Sequence, residues 1–130
     1  MRVPVVVIGG GHAGLVMSRR LGERAIDHVV LEAGTVANSW RTQRWDSLRL
    51  LTPAWHNRLP GDAPPTKPDS FPTAGATATT IERYATTIGA PVHEHTRVTA
   101  LRARGGRAGA AQDRAGGAAR HARSGADRRP

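Results

Sequence analysis

A glycine-rich turn at residues 9–14 and a glutamate at position 32 are the residues of this sequence whose arrangement best suits the binding of a ligand. The turn reads G-x-G-x-x-G after an apolar run at 5–8, and Glu32 lies 18 residues beyond Gly14, at the end of a second apolar run. In a dinucleotide-binding βαβ unit, Gly9 would permit the sharp turn, Gly11 would admit a pyrophosphate, and Gly14 would let the helix pack on the sheet. The helix N-terminus would offer free N–H groups to the phosphates, and Glu32 would accept hydrogen bonds from an adenosine ribose.

The elements that must position these residues are strands and helices in alternation. Apolar patterning predicts a first strand at 3–8 that is buried on both faces, a helix at 12–24 and a second strand at 28–32. The buried face of the helix is expected to carry small and apolar residues at helical spacing, namely Gly14, Ser18, Leu21 and Ala25, with Met17 beside them.

A long irregular excursion is predicted at 33–73, and its aromatic and leucine residues indicate a packed segment as far as Leu59. Thr79 or Thr80 is expected to cap a helix ending near Ile88. A strand at 92–101 would then be the third parallel strand. The predicted fold class is therefore α/β, a partial Rossmann-like doubly wound parallel sheet with local strand order 3-2-1.

Net charge is unevenly distributed. The 130 residues carry a net charge of +9, of which +3 falls in residues 1–101 and +6 in residues 102–130. From 102 onward 23 of 29 residues are Ala, Gly or Arg, and none is apolar and larger than Ala. Such a segment buries too little surface to offset its ordering entropy. We therefore predict an incomplete Rossmann-like domain at 1–101 and a disordered basic tail at 102–130.

Past the second strand, the sequence resembles the flavin-containing monooxygenase group of FAD-dependent oxidoreductases. The similarity covers about residues 3–101, and its segments are SWR at 39–41, RWDSLRLLTP at 44–53, RLPG at 58–61, FP at 71–72, IERYA at 81–85 and TRVTAL at 96–101. The resemblance implies a flavoprotein with two dinucleotide-binding domains, in which FAD is reduced by NADPH and one oxygen atom of O2 is transferred to a small-molecule substrate.

The resemblance also implies roles for individual residues. Gly9, Gly11, Ala13 and Gly14 would line the FAD pyrophosphate, and Glu32 would hold the adenosine ribose. Residues further along would lie beside the FAD or lead toward its flavin ring: Ser39, Trp40, Arg41 and Leu48. No catalytic acid, base or nucleophile is assigned, because the cofactor carries the chemistry.

The sequence departs from this family in two ways. Ala25 replaces a common turn glycine, at a cost of about 1 kcal/mol if that residue needs positive φ. The β-meander and the second G-x-G-x-x-G of the family, which would seat NADPH, do not follow residue 101. We interpret the tail as the product of a frame shift near residues 101–106, which would leave a fragment without activity of its own; the alternative is a natural short protein with a basic tail.

Three other functions fit parts of the sequence. An NAD-binding dehydrogenase shares the turn and the acid, although the match at 40–53 favours FAD. The tail and the three tryptophans suggest nonspecific nucleic-acid association, but the tail itself has no aromatic residue. His93 and His95 would share one strand face, yet two ligands make a poor metal site, and none is predicted. The lack of cysteine fits a reducing cytoplasm, and no membrane span or signal peptide is expected.

Overall fold

A computed structural model describes residues 2–104 and 107–114. Within these ranges the secondary-structure elements follow one another in this order: β1 (Val5–Ile8), α1 (His12–Glu23), β2 (His28–Leu31), α2 (Asn38–Thr42), α3 (Ala74–Thr87), β3 (Val92–His93), β4 (Thr96–Arg104) and β5 (Arg107–Arg114). No helix in this part of the chain is both long and apolar enough to cross a membrane.

The first three strands form a parallel sheet in the order β1-β2-β3. Val6 pairs with Val29 and Val30 pairs with Val92, so β2 lies between the other two strands. Each crossover carries a helix, α1 between β1 and β2 and α3 between β2 and β3. This confirms the predicted α/β class and the local order 3-2-1.

The core lies between the sheet and its two long helices. Val7 and Val30 contact Leu21 of α1, and all three side chains are buried. A second cluster joins α1 to α3 and to the start of the excursion, through Leu15, Val36, Ala37, Ala78, Ile81 and Tyr84. The amino end of α1 lies at the carboxyl end of β1, and the glycine turn connects the two.

Strand β1 is less buried than its apolar sequence predicts. Val7 faces α1 and is buried, whereas Val6 and Ile8 on the opposite face are 38% and 54% exposed. Strand β1 is an edge strand of the described sheet, with β2 on one side. The expectation of a strand buried on both faces is therefore wrong for the described residues, because α1 covers just one face.

Helix α1 matches its predicted bounds to one residue, but its buried face differs from the prediction at Met17 and Ala25, which are exposed, and at Leu15, which is buried and was not predicted. Leu15, Ser18 and Leu21 are buried, while Met17 is 51% exposed and not part of the packed face. Ala25, just beyond the helix, has φ of +52°. The departure at this turn thus places an alanine in the left-handed region that glycine normally occupies.

Helix α3 begins nearly two turns earlier than predicted. Its N-cap is Thr73, whose hydroxyl oxygen accepts a hydrogen bond from the Ala76 N–H at 3.1 Å, so the capping role expected of Thr79 or Thr80 is wrong. The run Ala74–Ala78 is helical although it contains Gly75, because Ala74 and Ala78 pack into the core. Tertiary packing here outweighs the weak local preference.

The excursion contains one short helix, α2, and turns. Trp40 is half-buried against the core, as expected of a packed segment. Trp45, Leu51 and Trp55 are 65%, 95% and 57% exposed, so the prediction that these three side chains are packed is wrong. Backbone hydrogen bonds shape the segment instead, among them Leu50 N–H to Pro72 O at 2.9 Å and Ala54 N–H to Ser70 O at 2.8 Å.

The predicted strand at 92–101 is two strands. Strand β3 pairs in parallel with β2, and the chain then turns at His95, which has φ of +52°. Strand β4 leaves the sheet and pairs antiparallel with β5, with a register shift between Val98 and Ala100.

The boundary placed at residue 102 also differs from the structure. Residues 102–104 and 107–114 lie in the β4–β5 hairpin rather than in a disordered tail. An antiparallel ladder satisfies backbone groups without large side chains, so composition alone does not exclude it. The rest of the predicted tail, 115–130, lies outside the described residues.

Candidate functional site

The glycine turn connects the end of β1 to the first residue of α1. Gly9 has φ of +102°, which permits the sharp change of direction out of the strand, and its N–H donates to Leu31 O at 2.8 Å. Gly11 is the N-cap of α1, and no side chain of the described residues caps this end of the helix. The first N–H groups of α1 therefore remain available to an anion.

Gly14 and Gly11 differ in what a side chain would meet. A Cβ atom on Gly14 would collide with the carbonyl oxygen of Gly9 and lie 3.4 Å from Val7 Cγ1. A Cβ atom on Gly11 would meet nothing within 4 Å. Gly14 is thus required by the contact between helix and turn, whereas the space beside Gly11 is open and fits the approach of a pyrophosphate.

Glu32 is held against the turn by two backbone donors. The Gly10 N–H donates to Glu32 Oε2 at 2.6 Å and the Gly34 N–H donates to Oε1 at 2.8 Å. Each carboxylate oxygen can accept a further hydrogen bond. The carboxylate is half-buried at the carboxyl end of β2.

The other predicted cofactor residues are only partly brought together. Ala13 is exposed in the first turn of α1, next to the open space at Gly11. Ser39 and Trp40 are half-buried in α2, and the Arg44 guanidinium carbon lies 4.8 Å from the centre of the Trp40 ring. Leu48 is half-buried, and its carbonyl accepts from the Ala74 N–H at the start of α3.

Arg41 is committed to α3. Its Nε and Nη2 donate to the two carboxylate oxygens of Glu82, each at 2.8 Å. These hydrogen bonds lower the pKa of Glu82 and raise the pKa of Arg41, more than burial opposes either shift. Arg41 in this arrangement fixes α2 to α3 rather than facing the glycine turn.

A cavity of about 880 Å³ lies between the excursion and α3. His12, the first residue of α1, borders it, and so does Trp40. The segments 50–52 and 62–67 form much of its wall, and Ile81 and Arg83 close it from α3. Its volume is in the range of small-molecule sites, and His12 joins it to the phosphate end of the turn.

Three sets of residues that hold this cavity were not predicted from the sequence. Asn57 Nδ2 donates to the carbonyls of Thr52 and Pro53. Proline and asparagine are both common in turns, so their presence at 53 and 57 is a signal that sequence inspection could have used. Tyr84 is fully buried and donates its hydroxyl to Pro60 O at 2.8 Å, and burial raises the pKa of Tyr84.

Asp62 and Arg83 form the third set. Asp62 is 6% exposed, and Arg83 Nη2 donates to its two carboxylate oxygens at 3.2 and 3.0 Å. The two residues are 21 positions apart, so no local signal pairs them.

The two histidines of the HEH segment do not share a strand. His93 is in β3 and His95 is in the turn that follows. Glu94 between them accepts from the Val36 N–H at 2.9 Å. Within residues 2–104 and 107–114, no group of three or more His, Cys, Asp or Glu could hold a metal ion.

Comparisons with known proteins agree on the type of fold. An uncharacterised CzcO-like oxidoreductase from Geobacillus kaustophilus is 37% identical over 100 residues, which is 76% of this chain and 28% of that protein. A variant of the flavin monooxygenase from Stenotrophomonas maltophilia is 29% identical, with a TM-score of 0.75 over 85% of this chain and 33% of the other. No family profile matches the chain.

The chain is similar to part of an FAD-dependent oxidoreductase. The fold extends beyond flavin monooxygenases, since the bacillithiol disulfide reductase from Bacillus cereus superimposes with a TM-score of 0.82 at 18% identity. The chain covers 36% of that structure, 33% of the Stenotrophomonas enzyme and 28% of the Geobacillus protein, so it spans about a third or less of each of these relatives. The glycine turn, Glu32 and the three-stranded sheet are the parts of the shared fold that the structure describes together.

Proposed function

We propose that this chain holds the FAD of a flavin-dependent monooxygenase that uses NADPH and O2 on a small organic substrate. The observation that carries the proposal is the Glu32 carboxylate, which two backbone N–H groups fix beside an open, uncapped helix N-terminus. A carboxylate and a phosphate cradle at this spacing suit an adenosine diphosphate.

The residues present fit that group. The open space beside Gly11 would admit the pyrophosphate, the first N–H groups of α1 would bind it, and Glu32 would accept hydrogen bonds from the ribose. Ala13 and Gly14 would border the phosphates, while Ser39, Trp40 and Leu48 would lie toward the flavin end. Bound FAD would supply electron transfer and oxygen activation. The chain would orient it and exclude water from its apolar side.

NADPH and the substrate are the finer parts of the proposal. Structural relatives include an oxidised steroid monooxygenase bound to NADP and an enzyme, OTEMO, in complex with FAD and NADP, at 20% and 21% identity. The 130 residues contain one G-x-G-x-x-G, which we assign to FAD, so we place no NADPH site in this chain. We further propose a cytoplasmic enzyme with no specific nucleic-acid partner.

A competition experiment distinguishes the nucleotide for which the turn is built. We expect ADP to displace FAD from the full chain, because both share the adenosine diphosphate half. ADP carrying a 2′-phosphate should compete far less, since Glu32 would repel the added charge. A Glu32→Gln variant should narrow the gap between the two competitors. Equal competition by both nucleotides in the native chain would remove Glu32 from the site. NAD shares the adenosine diphosphate half, so displacement of FAD by NAD at a much lower concentration than by ADP would favour a dehydrogenase.

A further inference from the structure

The cavity beside the glycine turn has a charged wall that cofactor binding at the turn does not use. Arg58, Lys67 and Arg83 line it, and Asp62 is the one carboxylate among the lining residues of the described chain. Arg83 already pairs with Asp62 at 3.0 Å, and the Ala63 N–H also donates to the Asp62 carboxylate. The acid is therefore neutralised within the wall.

Arg58 and Lys67 supply positive charge that no carboxylate offsets. Neither takes part in an ion pair within the part of the chain that the structure describes. Arg58 Nε donates to the backbone carbonyl of Asp62 at 2.7 Å, which orients its guanidinium and leaves its terminal nitrogens free of that bond. A concave wall of one sign concentrates the field and attracts ligands of opposite charge.

Part of the cavity lining is apolar. Trp40, Leu50, Leu51 and Ile81 line it. An apolar surface of this kind favours a hydrocarbon or aromatic body, and a few polar groups fix its orientation. Leu51 is 95% exposed, so it would gain burial from a ligand that covers it.

We propose that this cavity binds an organic acid, with its anionic group at Arg58 and Lys67 and its apolar body against Leu50 and Ile81. The identification of that acid as the substrate class rests on the proposed flavin-dependent function, whereas its binding to the cavity does not. A carboxylate is the simplest anionic group that Arg58 and Lys67 would recognise, since both donate charge-assisted hydrogen bonds.

Binding of phenylacetate and of its neutral analogue phenylacetamide to the full chain tests the proposal by calorimetry. We expect phenylacetate to bind about tenfold more tightly than the amide, because only the acid carries the charge. Lys67→Gln should weaken phenylacetate binding about three- to tenfold and leave phenylacetamide unchanged. Arg24→Gln, which removes an exposed charge outside the cavity, is the matched control and should change neither.

Chemical labelling gives a second measurement on the same chain. Lys67 is the only lysine in the sequence, so acetylation of its amine is read directly by mass spectrometry. Phenylacetate should slow this acetylation and phenylacetamide should not. No detectable binding of phenylacetate, equal affinity for acid and amide, or equal effects of Lys67→Gln and Arg24→Gln would each overturn the proposal.

Two further variants separate this proposal from the FAD assignment. Glu32→Ala should weaken FAD binding without affecting phenylacetate, and Lys67→Gln should have the opposite pattern. Failure of the first effect concerns the cofactor site alone, and failure of the second concerns the acid site alone. Competitive displacement of phenylacetate by FAD would show that the cavity belongs to the cofactor and would contradict the organic-acid assignment.

Discussion

At the scale of single residues, glycine occupies two positions of one turn for different physical reasons. Gly14 faces the Gly9 carbonyl and has no room for a methyl group, while Gly11 faces open space. The glycine motif predicts the packing role for Gly14 and the ligand role for Gly11, and the space around the two positions differs accordingly. Close packing makes the first position intolerant in the folded protein itself.

Gly14→Ala should therefore destabilise the fold, and Gly11→Ala should not. We expect a loss of about 2 kcal/mol or more in the free energy of unfolding for Gly14→Ala, because helix and strand must move apart. Gly11→Ala should change it by less than about 0.5 kcal/mol, as at other open positions. Urea unfolding of both variants measures the difference, and equal losses would contradict the assigned roles.

Ala25 is a second residue-scale test. Because its φ is +52°, Ala25→Gly should raise the free energy of unfolding by up to about 1 kcal/mol. Ala76→Gly, in the first turn of α3, is the control and should lower it by about 0.5–1 kcal/mol. A stability loss for Ala25→Gly would mean that the left-handed conformation carries no strain at this turn.

At the scale of elements, the parts that the sequence predicted are the ones with local causes. The long helix α1, strands β1 and β2 and the glycine turn follow from apolar runs and glycine spacing over a few residues. The start of α3 does not, because burial of Ala74 and Ala78 overrides a weak helical sequence. The break after β3 is not predicted from the sequence either, because His95 adopts a positive φ at a position where no glycine signals a turn.

The contact between α2 and α3 should depend on pH. Hydrogen bonds from Arg41 hold the pKa of Glu82 below its usual value in the folded protein. A carboxyl group whose folded pKa is lowered contributes stability above its unfolded pKa and loses it as pH falls through the folded value. The melting temperature should thus be slightly lower for Glu82→Gln than for the native chain at neutral pH, and the gap should close in acid.

Asp69→Asn removes the same charge from an exposed site that forms no ion pair among the described residues, and it serves as the control. A gap for Glu82→Gln that persists unchanged in acid would show that the ion pair with Arg41 does not contribute. The Arg41 and Glu82 side chains are each about 40% exposed, so the expected change in melting temperature is small.

At the scale of the whole molecule, the chain combines one glycine turn with a sheet whose edge strand, β1, has one exposed face. Val6 and Ile8 are exposed on β1, and the chain spans about a third of the length of its structural relatives. The sequence has a single G-x-G-x-x-G motif, so it predicts one of the two dinucleotide-binding domains that the resemblance implies. The cavity could not be predicted, because residues as far apart as His12 and Arg83 line it.

A single glycine turn should bind FAD and leave no second site that could hold the nicotinamide of NADPH against the flavin. When the chain is mixed with FAD and NADPH under air, we expect no sustained, FAD-dependent loss of the nicotinamide absorbance. The unmixed components and the chain without FAD are the controls. Sustained consumption would mean that these 130 residues contain an NADPH site that our assignment omits.

The most direct test of the central claim is a titration of the full chain with FAD, followed by flavin fluorescence. We expect saturable binding that Glu32→Ala weakens by about 1–3 kcal/mol, through loss of charge-assisted ribose hydrogen bonds. Gly11→Val should abolish binding, since its branched side chain would fill the open space beside the turn. Binding that is absent from the native chain, or unchanged in either variant, would contradict the assignment of the glycine turn and Glu32 to FAD.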